Sequence, residues 1–396
     1  MSKKIVFSVV CALFCLMILE VCLRGLIFFK HLYEGNLYQK VLIPLLYKQE
    51  TWAKELYQIP RNEYHFEPYT MWRQSPNYRS TYVNADSLAY RVTPSNIYSL
   101  DRSDVIKIAC FGGSTLWGEG ARDHKTIPNI LIEKLLRKGV KAYVMNYGVS
   151  SYCSYQEMIL FINELRKIDY DVAIFYDGFN DILGVFESGL PHGPIGYFQV
   201  KDKYEKSIGF SDLQNYLLNN IKIIAVSRKI ADRIVGMGGA EQYDKFFVGN
   251  AWNPQHADRM AEEYYQFYRY RLHLIRQWGE ERNCRVMFIF QPSLFTKIPV
   301  QEEEIRSIDI SYSSHYIFRN EKIKKFYEFC VKQFEKSDEP DLYLFHKIFN
   351  DQSEPFYLDA CHITESGNEL VADRIVQIME SDFSDVFKSA SQSSGL

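Results

Sequence analysis

Four short runs in this chain hold residue types that can carry out acyl transfer together: Gly112-Gly113-Ser114-Thr115, Asn146-Tyr147-Gly148, Gly178-Phe179-Asn180-Asp181 and Asp359-Ala360-Cys361-His362. A serine hydroxyl attacks a carbonyl carbon only when a base takes its proton. Ser114 is the candidate nucleophile. His362 is the candidate base, and it can later return the proton to the leaving alkoxide. Asp359, three residues before His362, can hold the second ring nitrogen and stabilise the imidazolium. The tetrahedral intermediate also needs hydrogen-bond donors for its oxyanion. The backbone N–H groups of Ser114 and Gly148 and the side-chain amide of Asn180 are the candidate oxyanion hole, where losing one donor costs about 3 kcal/mol in barrier.

Taken singly, each run has a plainer reading. A Gly-Gly-Ser turn at a helix start can cradle a phosphate, although no lysine follows it here as a phosphate loop requires. Gly148 alone reads as a turn glycine, Asn180 as a helix cap, and Asp359-x-x-His362 as a helix lead-in. Asp181 reads as a cap, and Cys361, beside the base, as packing. Trp117 and Glu119, just past the nucleophile, are candidate pocket walls, and Gln291, at the end of an apolar run, is a candidate substrate contact. No metal-ligand spacing is present in the sequence, and the chemistry requires no cofactor.

The elements that must position these residues follow from hydrophobic period. Val105–Phe111, Ala142–Asn146, Asp171–Tyr176, Arg285–Phe290 and Leu342–Phe345 read as buried strands. Helical spacing covers residues 126–137, 155–168, 256–282, 320–334 and 364–379. Strand–helix alternation of this kind implies right-handed crossovers and a parallel sheet with helices on both faces, a three-layer α/β/α sandwich. Three of the four runs follow a strand directly, and the fourth follows the last strand, so the carboxyl edge of the sheet gathers them all. The alternation pauses over residues 182–254, read as an insertion on the substrate side. It carries one basic helical stretch, Leu213–Val235, whose Lys222, Arg228, Lys229 and Arg233 form a solvated or headgroup-facing surface.

In order and in position after successive strands, these segments resemble the SGNH hydrolase superfamily, the GDSL-type esterases and lipases, over roughly residues 105–380. Ser114 stands where the family has its nucleophile, Gly148 and Asn180 where it has oxyanion donors, and Asp359-x-x-His362 where it has the rest of the triad. Gly113 departs from the aspartate found there in many members. The resemblance implies a flavodoxin-like sheet and a shallow, open site. The Phe111-Gly-Gly-Ser-Thr115 form is most similar to membrane-anchored bacterial members.

Composition narrows the function further. The net charge of −3 gives no basic field for nucleic acid. Aromatic residues make up 15% of the chain, and they read mainly as core and seam filling. Lys3-Lys4 precede an apolar run from Ile5 to Phe29, broken by Glu20 and Arg24. Residues 1–30 are therefore expected to be an uncleaved signal anchor, a single transmembrane helix with the catalytic domain outside the cytoplasm. Residues 31–104 read as a membrane-proximal lead-in, with a short helix within 37–56 and a strand pair within 81–92. Residues 105–385 form the hydrolase domain, and 386–396 a polar tail. Of the eight cysteines, those outside the anchor read as small core residues, with no disulfide expected. The expected function is a serine ester hydrolase working through an acyl-serine, on O-acylated cell-envelope carbohydrate or on lipid esters. The alternatives are an O-acyltransferase that modifies an extracytoplasmic polysaccharide beside a membrane acyltransferase partner, and a non-catalytic binding protein on the same fold.

Overall fold

The computed structural model describes residues 3–38, 43–58, 64–197, 200–201, 253–308 and 320–386. The basic stretch Leu213–Val235 of the insertion lies outside the described residues. The chain divides into two units, residues 1–41 with 196–251 and residues 42–195 with 252–396.

In the first unit, helix α1 (Lys3–Tyr38) runs without a break. Ile5, Phe7, Leu16, Leu26 and Phe29 are exposed along it. Glu20 and Arg24 pair one turn apart at 2.8 Å. Among the described residues no helix is long and apolar enough to cross a membrane, so the spanning anchor expected over residues 1–30 is not supported. The two charges cut the apolar run back to Ile5–Leu19, about 22 Å of helix against ~30 Å of hydrocarbon.

In the second unit, the unbroken apolar runs become the buried strands of a parallel sheet, as both-face burial requires. The strands are β3 (Ile106–Gly112), β4 (Ala142–Gly148), β5 (Val172–Asp177), β6 (Arg285–Phe290) and β7 (Leu342–Leu344), in spatial order β4-β3-β5-β6-β7. Numbered within this sheet the order is 2-1-3-4-5, the doubly wound flavodoxin-like arrangement whose chain reversal lies between β3 and β5. Alternate residues face opposite sides. Ile106, Ile108, Cys110, Val144, Ile174 and Met287 pack with helices α4 (Ile127–Arg137) and α10 (Glu365–Asp382). On the other face an aromatic row crosses the strands in register: Tyr147 stacks on Phe111 (5.0 Å between centroids), Phe111 on Phe175 (5.0 Å), and Phe175 meets Phe288 (5.4 Å). Helices α5 (Ser154–Leu165), α7 (Pro254–Glu281) and α9 (Glu321–Glu335) cover that row, through contacts such as Phe161 on Phe111 and Phe334 on Phe290. Three further helices are short: α2 (Ala53–Gln58), α3 (Ser114–Trp117) and α8 (Glu302–Ile308), while α6 (Phe179–Ser188) occupies the first residues assigned to the insertion.

The lead-in differs from expectation in its details. Its antiparallel pair is β1 (Tyr64–Glu67) with β2 (Met71–Gln74), not residues 81–92, which make only isolated bridges. From residue 43 the lead-in is part of the second unit. Tyr47, Trp52, Leu56 and Val83 form a small core with Leu358, against which Trp117 packs. Over the Trp117 ring lies Arg91, fully buried, which uses every donor of its guanidinium. Nε bonds Asp123 Oδ1 at 2.9 Å, Nη1 reaches the carbonyls of Trp117 and Gly118 at 3.3 and 2.6 Å, and Nη2 reaches those of Tyr82 and Ala121 at 3.4 and 2.6 Å. Removing one member of such a buried pair strands the other charge. Arg91→Met should therefore cost about 3–5 kcal/mol of unfolding free energy, read as a lowered midpoint in urea. An unchanged midpoint would show that the residues 117–123 turn does not depend on this guanidinium.

Candidate active site

Strand β3 ends at Gly112, and α3 begins at Ser114 with no regular turn between them. The glycines are there because backbone and side chains crowd them. A Cβ on Gly112 would stand 2.6 Å from the Tyr176 carbonyl, and one on Gly113 would stand 2.5 Å from Asn180 Nδ2. The absence of a side chain at residue 113 thus lets the Asn180 amide lie directly against the nucleophile turn.

His362 arrives on a separate device. Residues 356–364 fold back on themselves: Leu358 N–H bonds the His362 carbonyl at 2.8 Å and Thr364 N–H the Phe356 carbonyl at 2.7 Å. Glu304 of α8, wholly buried, accepts on one oxygen from Lys297 Nζ (2.7 Å), Phe356 N–H (2.8 Å) and Tyr357 N–H (3.1 Å). At the tip of this arm Asp359 Oδ1 accepts the N–H groups of Cys361 and His362, at 2.9 and 2.8 Å. Its Oδ2 lies 2.7 Å from His362 Nδ1, and His362 Nε2 lies 2.7 Å from Ser114 Oγ. The structure therefore brings Ser114, His362 and Asp359 into one hydrogen-bonded line, with both ring nitrogens engaged. Burial opposes the charge on Asp359, yet the His362 ring and the two N–H donors hold its carboxyl below the usual range. Burial likewise opposes charge on His362, but its anionic neighbours, Asp359 foremost, outweigh burial and lift it well above an ordinary histidine. The Cys361 thiol, 3.8 Å from Nδ1, is pushed up to about 11 by burial and is neutral at neutral pH.

The donors are placed differently from expectation at one position. The Gly148 N–H is already given to Asn146 Oδ1 at 2.9 Å, and a Cβ on Gly148 would stand 2.4 Å from Trp117 N. Gly148 is a close-packing point between strand and nucleophile turn, not a free donor. In the loop that follows, Val149, Tyr152 and Cys153 give their N–H groups to Gly112 O, Val149 O and Gln156 Oε1. Among the described residues this leaves the N–H groups of Ser150 and Ser151 without a protein acceptor, and Ser151 has a left-handed φ of 64°. Asn180 Nδ2 gives one hydrogen to the neighbouring Tyr152 carbonyl at 2.8 Å, and an amide nitrogen carries a second. Spacing alone does not reveal which way an N–H points; a non-glycine residue at positive φ is a backbone fact that only the structure supplies.

Gln291 is 3% exposed and accepts from Thr115 Oγ1 at 3.3 Å, which makes it a brace behind the turn and not a surface for substrate. Trp117 belongs to the lead-in core, its ring under the Arg91 guanidinium at 4.5 Å. Glu119, by contrast, reaches the site: its Oε2 lies 3.5 Å from His362 Nε2. Asp359, Cys361 and His362 place ligand-type atoms within 4.8 Å of one another. Both ring nitrogens of His362 are already hydrogen-bonded, so this group does not fit a metal.

Behind Asn180 lies a second set of ionisable groups. Asp181 accepts from Ser154 Oγ at 2.5 Å, from Ser154 N–H at 3.0 Å and from Arg271 Nη2 at 3.1 Å. Asp177 accepts from Tyr268 Oη at 2.5 Å, and Glu157, wholly buried, faces it. Burial, and then the Asp181 charge, raise Asp177 to about 7; burial, and then Asp177, raise Glu157 well above the carboxylate range. One arginine among three carboxylates makes proton retention the cheaper state.

Neither a family model nor a curated protein matches the sequence. The structure is similar to solved esterases and lipases. An acetyl xylan esterase, AlAXEase, is 14% identical, with a TM-score of 0.36, covering 69% of this chain and 98% of its own. The lipase Lip_vut3 from a goat rumen metagenome is 12% identical, with a TM-score of 0.38 over 69% of this chain and 97% of its own. A family 3 carbohydrate esterase of Clostridium thermocellum is 13% identical, with a TM-score of 0.32 over 72% and 98%.

The buried acids generate a stability prediction. Carboxyls with raised folded pKa values bind more protons folded than unfolded between about pH 4 and pH 7, so their contribution to stability falls as pH rises through that window. Glu157→Gln should flatten this fall, measured as unfolding free energy against pH beside the unaltered protein. Parallel curves for the two proteins would rule out proton retention by Glu157.

Proposed function

We propose that this chain is a serine ester hydrolase that works through an acyl-Ser114 intermediate. The single observation that carries the reading is the hydrogen-bonded line from Ser114 Oγ through His362 to Asp359, both links at 2.7 Å. His362 Nε2 takes the hydroxyl proton as Ser114 Oγ bonds to the carbonyl carbon. Asp359 keeps Nδ1 protonated and offsets the imidazolium charge. The Ser114 N–H, the second hydrogen of Asn180 Nδ2 and the Ser151 N–H are the oxyanion donors in this scheme, with Ser151 in place of Gly148. The oxyanion then collapses, and the leaving alkoxide takes the proton from Nε2. Water, deprotonated by the same nitrogen, releases the acid and restores Ser114.

The substrate class proposed is an O-acylated carbohydrate or lipid ester. Its support is the hairpin β1–β2, which exposes Tyr64, Phe66 and Tyr69. This hairpin is joined to the donor loop by Trp72 Nε1 on the Ser150 carbonyl (2.9 Å) and Tyr152 Oη on the Trp72 carbonyl (2.6 Å). Exposed ring faces of this kind suit the apolar face of a sugar or an acyl chain. The exposed apolar side chains of α1 support attachment at a lipid surface. Transfer to a sugar hydroxyl uses the same groups, and product analysis with and without a glycan acceptor separates it from hydrolysis.

A serine-directed phosphonate should label the protein and fail to label Ser114→Ala; labelling of both would remove Ser114 from its role. Asn180→Ala should lower kcat on a small acyl ester by about 10²- to 10³-fold with little change in KM. A loss confined to KM would instead make Asn180 a ground-state contact.

A further inference from the structure

Two carboxylates converge on His362 from opposite sides of the ring, and the triad accounts for only one of them. Asp359 sits on Nδ1; Glu119 sits 3.5 Å from Nε2, the nitrogen that also faces Ser114 Oγ. The position of Glu119 is built by its own turn. Gly118 and Gly120, on either side, have φ values of 96° and 84°, which only glycine adopts at little cost. The N–H groups of Gly118 and Glu119 both return to the Ser114 carbonyl, at 3.0 and 2.9 Å. Arg91 clamps the carbonyls on the outer side, and Gly120 packs against Leu358 on the arm that carries His362, where a Cβ would stand 2.5 Å from its Cδ1. The turn that follows the nucleophile thus delivers a carboxylate to the base.

We propose that Glu119 is a positioning residue for the reaction, a second carboxylate that stabilises the proton on His362 Nε2 between its removal from Ser114 and its delivery to the leaving group. The proposal rests on the ester-hydrolase reading above. No bond to Glu119 forms or breaks. The proton goes from Ser114 Oγ to Nε2 and from Nε2 to the alkoxide, while the Glu119 charge offsets the imidazolium in both transition states. Among the described residues, the groups facing the ring are Asp359 and Cys361 from its own arm and Ser114 and Glu119 from the segment after β3. Cys361 is a neutral thiol, so the anionic charge on the ring comes from Asp359 and Glu119; Arg91 lies behind Glu119 and faces it in turn. Glu119 also draws Nε2–H toward itself when the resting ring is protonated, so the same contact holds an inactive form at low pH.

The sign follows. The active free enzyme needs a neutral His362, and a neighbouring anion raises the pH at which the ring loses its proton. Glu119→Gln keeps the size and removes the charge, so the acid limb of kcat/KM should move down by about one pH unit, the lower end of the usual range because the carboxylate is partly solvated. The high-pH plateau should fall several-fold, and Glu119→Asp should return the limb part of the way. The measurement is the pH profile of a small acyl ester, repeated as the second-order rate of phosphonate labelling, with thermal midpoints checked for each variant. An acid limb at the same pH in the unaltered protein and Glu119→Gln overturns the proposal even if the plateau drops, because a merely structural role moves the plateau alone. If the unaltered protein neither turns over esters nor labels in a Ser114-dependent way, the ester-hydrolase reading itself fails, and the two failures stay distinct.

Discussion

A buried guanidinium with all five N–H groups occupied is the constraint on which the site depends. Arg91 comes from the lead-in, before the first strand of the main sheet, and its acceptors are the carbonyls of the turn after the nucleophile together with Asp123. A guanidinium has no acceptor and does not lose its charge, so each acceptor must stay where it is for the buried cation to remain solvated by protein. Asn146 ties down the same turn from the sheet side, its Nδ2 reaching the carbonyls of Leu116 and Trp117 at 3.3 and 3.4 Å. Between them these two side chains fix the path from Ser114 to Asp123 without using a regular element longer than one helical turn.

The carboxylates of the site divide by solvent and by partner. Asp359 and Glu119 are partly exposed and lie against the two ring nitrogens of His362. Asp177 and Glu157 lie under the sheet edge with too little positive charge, and they keep a proton. Asp181 stays tied to Arg271 and Ser154 at the start of the helix that presents Asn180. One short run, Asp177 to Asp181, therefore contributes an acid with a raised pKa, an amide and an ion-paired carboxylate, and since Asp177 and Asp181 are equally buried the partners set the difference between them.

Much of this was legible in residue order. Unbroken apolar runs such as Ile106–Phe111 and Val172–Tyr176 have one stable destination, a sheet buried on both faces, and the alternation with helices settles its parallel sense. Ser114, Asn180, Asp359 and His362 were found because three of them follow strands closely and the topology gathers such ends. What the sequence concealed was direction. Gly148 has the right type and place but turns its N–H to Asn146. Ser151 combines an N–H without a protein acceptor among the described residues with a positive φ, and neither shows in the sequence. The β1–β2 strands are four residues each and rich in polar side chains, so their period is too short to register. Gln291 sits at the right edge but faces inward to Thr115. Arg91 lies far from the nucleophile in sequence, and nothing about one arginine signals five buried partners.

Ser114 and His362 are 248 positions apart, and the arm that brings the base to the serine is braced by Glu304 and Lys297, which themselves lie well past the middle of the chain. A polypeptide emerging from the ribosome therefore exposes Ser114 long before it possesses the histidine that hydrogen-bonds it. Until the last tenth of the sequence has been made and has docked, Ser114 is an ordinary alcohol. The triad is in this sense a late property of synthesis: any product ending before His362 lacks the histidine that faces Ser114, however well its sheet has formed.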